Sequence, residues 1–170
     1  MFTLLLIIPF PLLFLLHEAE EVLLQHRWML AHQDALKKRF PKLKTLLEHL
    51  SRLTPKAFAV AAFEEWLIIT LATCYVLLQG DYCLQIWSAL FMAFSFHLLV
   101  HIVQAFAVRG YVPGLATSLL LLPYSFIILQ SIWHAMSGLE LLLLGTAGII
   151  VMVVNLRFAH WLGMAIARKA

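Results

Sequence analysis

Apolar positions along the chain fall into five blocks, and polar residues mark the breaks between them. The first block begins near Phe2 and predicts a helix running to about Leu30. Blocks over about 57–79, 83–108, 115–134 and 138–167 predict four more, each long enough to cross a hydrocarbon layer. Gly80-Asp81-Tyr82 reads as a tight turn, and Arg109-Gly-Tyr-Val-Pro-Gly114 as a break that restarts a helix. Ser137-Gly-Leu-Glu140 has the pattern of a capping box opening the last helix, which makes Glu140 structural. Pro9 and Pro11 each lack a backbone donor and kink the first helix or sit in its first turns. Between the first two blocks, residues 34–56 form a basic segment with a short amphipathic pattern, in which Leu43, Leu46, Leu47, Leu50 and Leu53 share a face. Pro41 suits the first position of that helix. It is expected to rest on anionic headgroups, with docking of a soluble partner as the alternative. The expected fold is all-α: a polytopic membrane protein forming one domain over 1–170, a five-helix transmembrane bundle with a short basic interfacial helix between helices 1 and 2.

Composition supports this pattern. The chain is 63% hydrophobic and 12% charged, about half the charge of a soluble domain. The net charge of +3 implies no nucleic-acid partner, because the cations are distributed as a topology signal. Eleven of the twelve Lys and Arg residues lie in 34–56, at Arg109 or in the last fourteen residues, and the twelfth is Arg27. None lies in the 80–82 or 135–138 turns. Positive charge stays in the cytoplasm, so the N-terminus is expected outside and the C-terminus inside, in an inner (plasma) membrane crossed several times. The opening apolar stretch has neither a basic start nor a small-residue cleavage site, so it reads as a retained helix. Cys74 and Cys83 flank one turn and could pair on an oxidising side. Gly145 and Gly148 suit close helix packing. Trp28, Trp87, Trp133 and Trp161 are expected in aromatic belts, while Trp66, beside Glu64 and Glu65, could wall a cavity. His26, His32 and His49 read as solvated, and His134 as interfacial.

The first block contains what a membrane helix excludes: His17-Glu18-Ala-Glu20-Glu21. Ionisable groups at membrane depth point to function. His17 shares a helix face with Glu20 and Glu21, three and four residues on, while Glu18 points elsewhere. His97 and His101, four apart, share a face as two imidazoles on one metal must. Counting about 1.5 Å per residue to each cytoplasmic end brings His17, Glu20, Glu21, Glu64, Glu65, His97, His101 and His160 to similar depths. Imidazole plus carboxylate suits a transition metal ion, iron or zinc (or manganese), and the surplus of ligands suits two ions bridged by carboxylate, or one ion whose ligands are backed by further carboxylate–histidine contacts. The expected ligands are His17, Glu21, Glu64, His97, His101 and His160. Glu20 is expected as a bridging ligand or general base, with Tyr111 and Thr117 orienting substrate or water. The spacing does not choose between Glu20 and Glu21, or between Glu64 and Glu65. One competing role for Glu20 or Glu21 is to neutralise Arg157, deep in the last helix.

These segments resemble a known family. His17-Glu-Ala-Glu20-Glu21 matches the signature of the HXXEE-domain family of small, mainly bacterial membrane proteins. His97-x-x-x-His101 and Tyr111-Val-Pro-Gly-x-x-Thr117 resemble its other recurring segments. The resemblance covers most of the chain except the basic 34–56 segment. It implies a membrane protein in which these residues matter, and it supplies no reaction.

The expected function is a metal-dependent membrane enzyme acting on a lipophilic or lipid substrate reached from the bilayer. A di-iron oxidoreductase is slightly preferred, since helical bundles use inward Glu and His for such centres, and a zinc hydrolase is the close alternative. A proton or metal-ion transporter is a second alternative, with less support because the outer half of helices 2 to 4 carries little acidic or histidine content. An assembly or sensor protein without turnover is a further class. A homo-oligomer is compatible with all of these.

Overall fold

The computed structural model describes residues 4–168. The expected helix start near Phe2 and the charge of Lys169 lie outside the described residues. Helix α1 (Leu4–Ile7) is separated by Ile8 and Pro9 from α2 (Phe10–Arg39). Here the prolines break the helix, where a kink was the milder expectation: Pro9 is the N-cap of α2 and Pro11 lies in its first turn. Helix α2 runs nine residues beyond the expected end at Leu30, because Asp34 to Arg39 are helix-compatible. Phe40, forced out of helical geometry before Pro41, ends it with φ −125° and ψ 67°.

A 3-10 turn over Pro41–Leu43 leads into α3 (Lys44–Ser51). Its leucines divide between environments. Leu47 and Leu53 are buried, while Leu43 and Leu46 are about half exposed. Leu47 packs with Met29 and Leu36 of α2, and Leu53 with Ala57 and Phe58. The segment thus lies against the bundle itself. His26, expected to be solvated, donates from Nδ1 to the Leu53 carbonyl at 2.8 Å and ties the end of this segment to α2.

Helices α4 (Pro55–Leu77), α5 (Cys83–Val108), α6 (Leu115–Ala135) and α7 (Gly138–Ala167) follow. Thr54 caps α4, accepting from the Ala57 N–H. The Ser137–Glu140 capping box opens α7. These four helices are long and apolar enough to cross a membrane, consistent with a multi-pass membrane protein. Helix α2 is not among them, since Glu18, Glu20, Glu21 and Arg27 interrupt its apolar part.

The core lies between α2, α4, α5 and α6. Phe10, Trp87, Phe91 and Phe94 stack and tilt against one another with ring centroids 4.9–6.3 Å apart. Trp87, expected at an interface, is fully buried in this pile and donates to Thr73 Oγ1 at 3.1 Å. Trp133 and Trp161 are exposed, at 68% and 60%. Helix α5 packs along α6, and Ser88 and Ser95 of one and Ser118 and Ser125 of the other are all buried, small enough to let the backbones approach. Helix α7 packs on α4 and α5. A Cβ on Gly148 would strike the Ala89 carbonyl, and one on Gly163 the Ala57 carbonyl. Cys74 and Cys83 are both free.

Candidate metal centre

Helices α2 and α5 bring four ligand-bearing side chains together. His17 and Glu21, one turn apart on α2, meet His97 and His101, one turn apart on α5. One ligand atom from each lies within 4.8 Å of all the others. The Nε2 atoms of His97 and His101 are 3.0 Å apart. Glu21 spans the pair, with Oε2 3.6 Å from His97 Nε2 and Oε1 3.6 Å from His101 Nε2. Ligands on a tetrahedral ion at about 2.0–2.1 Å stand roughly 3.3 Å apart, close to this spacing. His17, Glu21 and His101 are buried and His97 half-buried. Phe94 packs edge-on to His17 at 5.8 Å, closing the apolar side.

The protonation of His17 follows from its partners. Its Nδ1 is 2.8 Å from Thr117 Oγ1. Thr117 has one hydroxyl proton, and Glu20 Oε2 at 2.6 Å is a closer and stronger acceptor than the Gly114 carbonyl at 3.3 Å. With that proton directed to Glu20, the Thr117 oxygen accepts, and His17 must carry its proton on Nδ1. Its Nε2 lone pair is buried and has no hydrogen-bond partner among the described residues. A ring held in this tautomer, with its second nitrogen bare, is what a metal requires.

Glu20 itself is held away from the cluster. Its carboxylate accepts from the Tyr111 hydroxyl, from the Ala116 N–H at 3.3 Å, and from the Thr117 N–H at 2.8 Å. These amides open α6, whose N-cap, Gly114, has no side chain to satisfy them. Glu20 therefore caps α6 from across the bundle, where a carboxylate also complements the helix dipole. Partial burial and the Glu20 carboxylate push the ionisation of Tyr111 upward, so it remains a donor. Gly114 has φ +84°, and a Cβ there would collide with the His101 imidazole, so the loop needs glycine on both counts.

The other expected ligands lie elsewhere. Glu64 accepts from Asn155 Nδ2 at 3.1 Å. His160 packs against His49 and Phe58, with ring centroids 5.5 and 5.8 Å away. Depth along a helix located these residues, but depth does not fix the direction in which a side chain points. Arg157 is exposed, and among the described residues neither Glu20 nor Glu21 pairs with it. Glu18, set aside by its spacing, and Glu65 line a cavity beside His97 together with Asn155. No sequence pattern marks Asn155. Gly114, two residues before the first α6 amide that Glu20 accepts from, could have been read as a helix start that lacks a capping side chain.

Fold and site together define an all-helical, membrane-type protein with a buried His3Glu cluster that could hold a metal ion. The chain belongs to the family described as proteins of unknown function with an HXXEE motif, whose family model matches residues 8–128. No curated protein and no solved structure matches the chain. The matched span contains all four cluster residues as well as Glu20, Tyr111 and Thr117, whereas His160 and Asn155 fall beyond it. The motif's three named positions divide their work: His17 and Glu21 join the cluster, and Glu20 holds the helix that orients His17.

Proposed function

We propose that this protein is a metal-dependent enzyme of the inner membrane, with one ion bound by His17, Glu21, His97 and His101 and a lipophilic substrate drawn from the bilayer. The convergence of four ligand atoms from two helices within 4.8 Å carries the reading. Three imidazoles and one carboxylate suit iron, manganese or zinc. Of the one or two ions expected, the proposal takes a single one, because Glu64 and His160 lie with other partners. Four protein ligands close a tetrahedral zinc site, whereas a five- or six-coordinate iron keeps a position open. Iron-dependent oxidoreduction is therefore favoured over zinc hydrolysis, with the ion supplying the redox chemistry. The protein's part is to hold His17 in one tautomer through Thr117, to support Glu20 through Tyr111, and to exclude water with Phe94 and its neighbours.

The test is the metal content of the purified, detergent-solubilised chain by elemental mass spectrometry, beside a His97→Ala/His101→Ala variant. About one equivalent of iron is expected, lost in the variant. One equivalent of zinc overturns the oxidoreductase reading, since four protein ligands would close the site around it. Protein that is folded yet carries no metal above background overturns it.

A further inference from the structure

On the far side of His97 from His101, α2, α4, α5 and α7 enclose a cavity of about 80 Å³. It has room for roughly five waters or one small head group. Phe14, Ile68, Ile69, Phe94, Met152 and Leu156 make most of its wall apolar. Glu18, Glu65, Asn155 and His97 supply the polar part.

Glu18 is 4% exposed. Its charged neighbours are Glu21 and Glu65, both carboxyl groups, and among the described residues none donates a hydrogen bond to it or pairs with it. Asn155, which reaches Glu65, also donates to Glu64 at 3.1 Å. No lysine or arginine lines the cavity among the described residues. A buried carboxyl group requires a donor or a cation. Here the chain sets a cavity in front of Glu18, with the half-buried Glu65 beside it. A second metal ion is a poor occupant, because only the His17, Glu21, His97 and His101 set gathers ligand atoms closely enough among the described residues.

The cavity also has a direction of entry. Val151 and Asn155 continue into a shallow depression with Ile150, Val154 and Phe158 on the outer face of α7. Those three apolar side chains are 49–63% exposed, on a helix with only 6% of its span buried. Lipid would cover that face.

The geometry points to this cavity as the binding site for the ammonium head of a lipophilic amine, entering past α7 with its alkyl chain along Ile150, Val154 and Phe158 and its head between Glu18 and Glu65. An ammonium offers three donors and a positive charge to two carboxyl groups. An alcohol offers one donor and no charge, and an anionic head is repelled. The assignment names the substrate class of the enzyme proposed above. It rests on that reading for the chemistry and on the cavity alone for binding.

The full chain in non-ionic detergent is titrated with octylamine, octanol and octanoate, and bound ligand is counted by native mass spectrometry. One octylamine should bind at least about tenfold more tightly than octanol, the scale of a buried charge contact, and octanoate should not bind. Glu65→Gln should weaken octylamine about tenfold or more while leaving the metal content of the chain unchanged. Met152→Trp, which fills the cavity from α7 without altering a charge, should abolish binding. Equal affinity for amine and alcohol overturns the proposal. So does amine binding that survives both substitutions, or a second equivalent of metal that Glu65→Gln removes. A wild-type chain without metal that still binds octylamine defeats the metal reading alone.

Discussion

At the scale of single residues, the centre depends on one threonine. Thr117 passes the charge of Glu20 to His17: its hydroxyl donates at 2.6 Å and its oxygen lies 2.8 Å from Nδ1. Removing the hydroxyl leaves Nδ1 without an acceptor and allows His17 to protonate on Nε2, the atom that would bind the proposed ion. Partners that orient a metal-binding histidine are worth about 10–100-fold in metal affinity. Thr117→Val should lose about that much in competition with a chromophoric chelator, and Thr117→Ser should lose little. An unchanged affinity in Thr117→Val would remove the relay from the account. Helical spacing identified His17, Glu20 and Glu21 but not their division of labour. Neighbouring residues lie about 100° apart around a helix, so a small rotation exchanges them. What fixes the rotation is the uncapped start of α6, ninety-odd positions away, which takes Glu20 and leaves Glu21 facing α5.

At the scale of elements, α7 is held by glycine contacts. Gly148 lies so close to α5 that even a methyl group would overlap the Ala89 carbonyl. Backbone cannot yield as a flexible side chain can, so Gly148→Ala should cost about 1–3 kcal/mol, the usual penalty of overpacking. Gly138→Ala meets open space at the start of the same helix and should stay within about 0.5 kcal/mol. Thermal unfolding in detergent separates the two, and equal midpoints would show that α7 moves away without penalty. The ends of α5, α6 and α7 were legible because turns, glycines and a capping box mark them. The end of α2 was not, since its charged last turns continue as helix until Phe40 and Pro41 stop it. Gly163 makes the same close approach as Gly148, but a lone glycine near a helix end gives no sign of what it faces.

At the scale of the whole molecule, α2 decides how many times the chain crosses the membrane beside the four apolar helices. Its composition argues against a span, but its neighbours argue for one. Phe10 lies against Trp87, near the start of α5. His17 lies against His97 and His101, with ring centroids 5.1 and 5.0 Å away. Arg39 donates to the Val108 carbonyl at 3.0 Å, at the end of α5. These contacts follow the same order along both helices, so α2 runs in the same direction as α5 over the stretch from Phe10 to His17, and a slab that α5 crosses there is crossed by α2 in the same direction. Of the carboxyl groups that spoil its hydropathy, Glu21 turns to imidazoles, Glu20 to the α6 amides and Glu18 to the cavity beside His97. Five crossings place the termini on opposite sides, and four would place them together. With basic residues at the cytoplasmic ends, an N-terminal epitope should be labelled from outside intact cells, while a fluorescent protein fused after Ala170 should fold and fluoresce inside. An alkaline phosphatase fused after Asp81 should be active, since a spanning α4 would return the chain to the outer side. If both termini report from the cytoplasm, α2 does not span, and the cluster lies at a membrane surface open to water-soluble substrates.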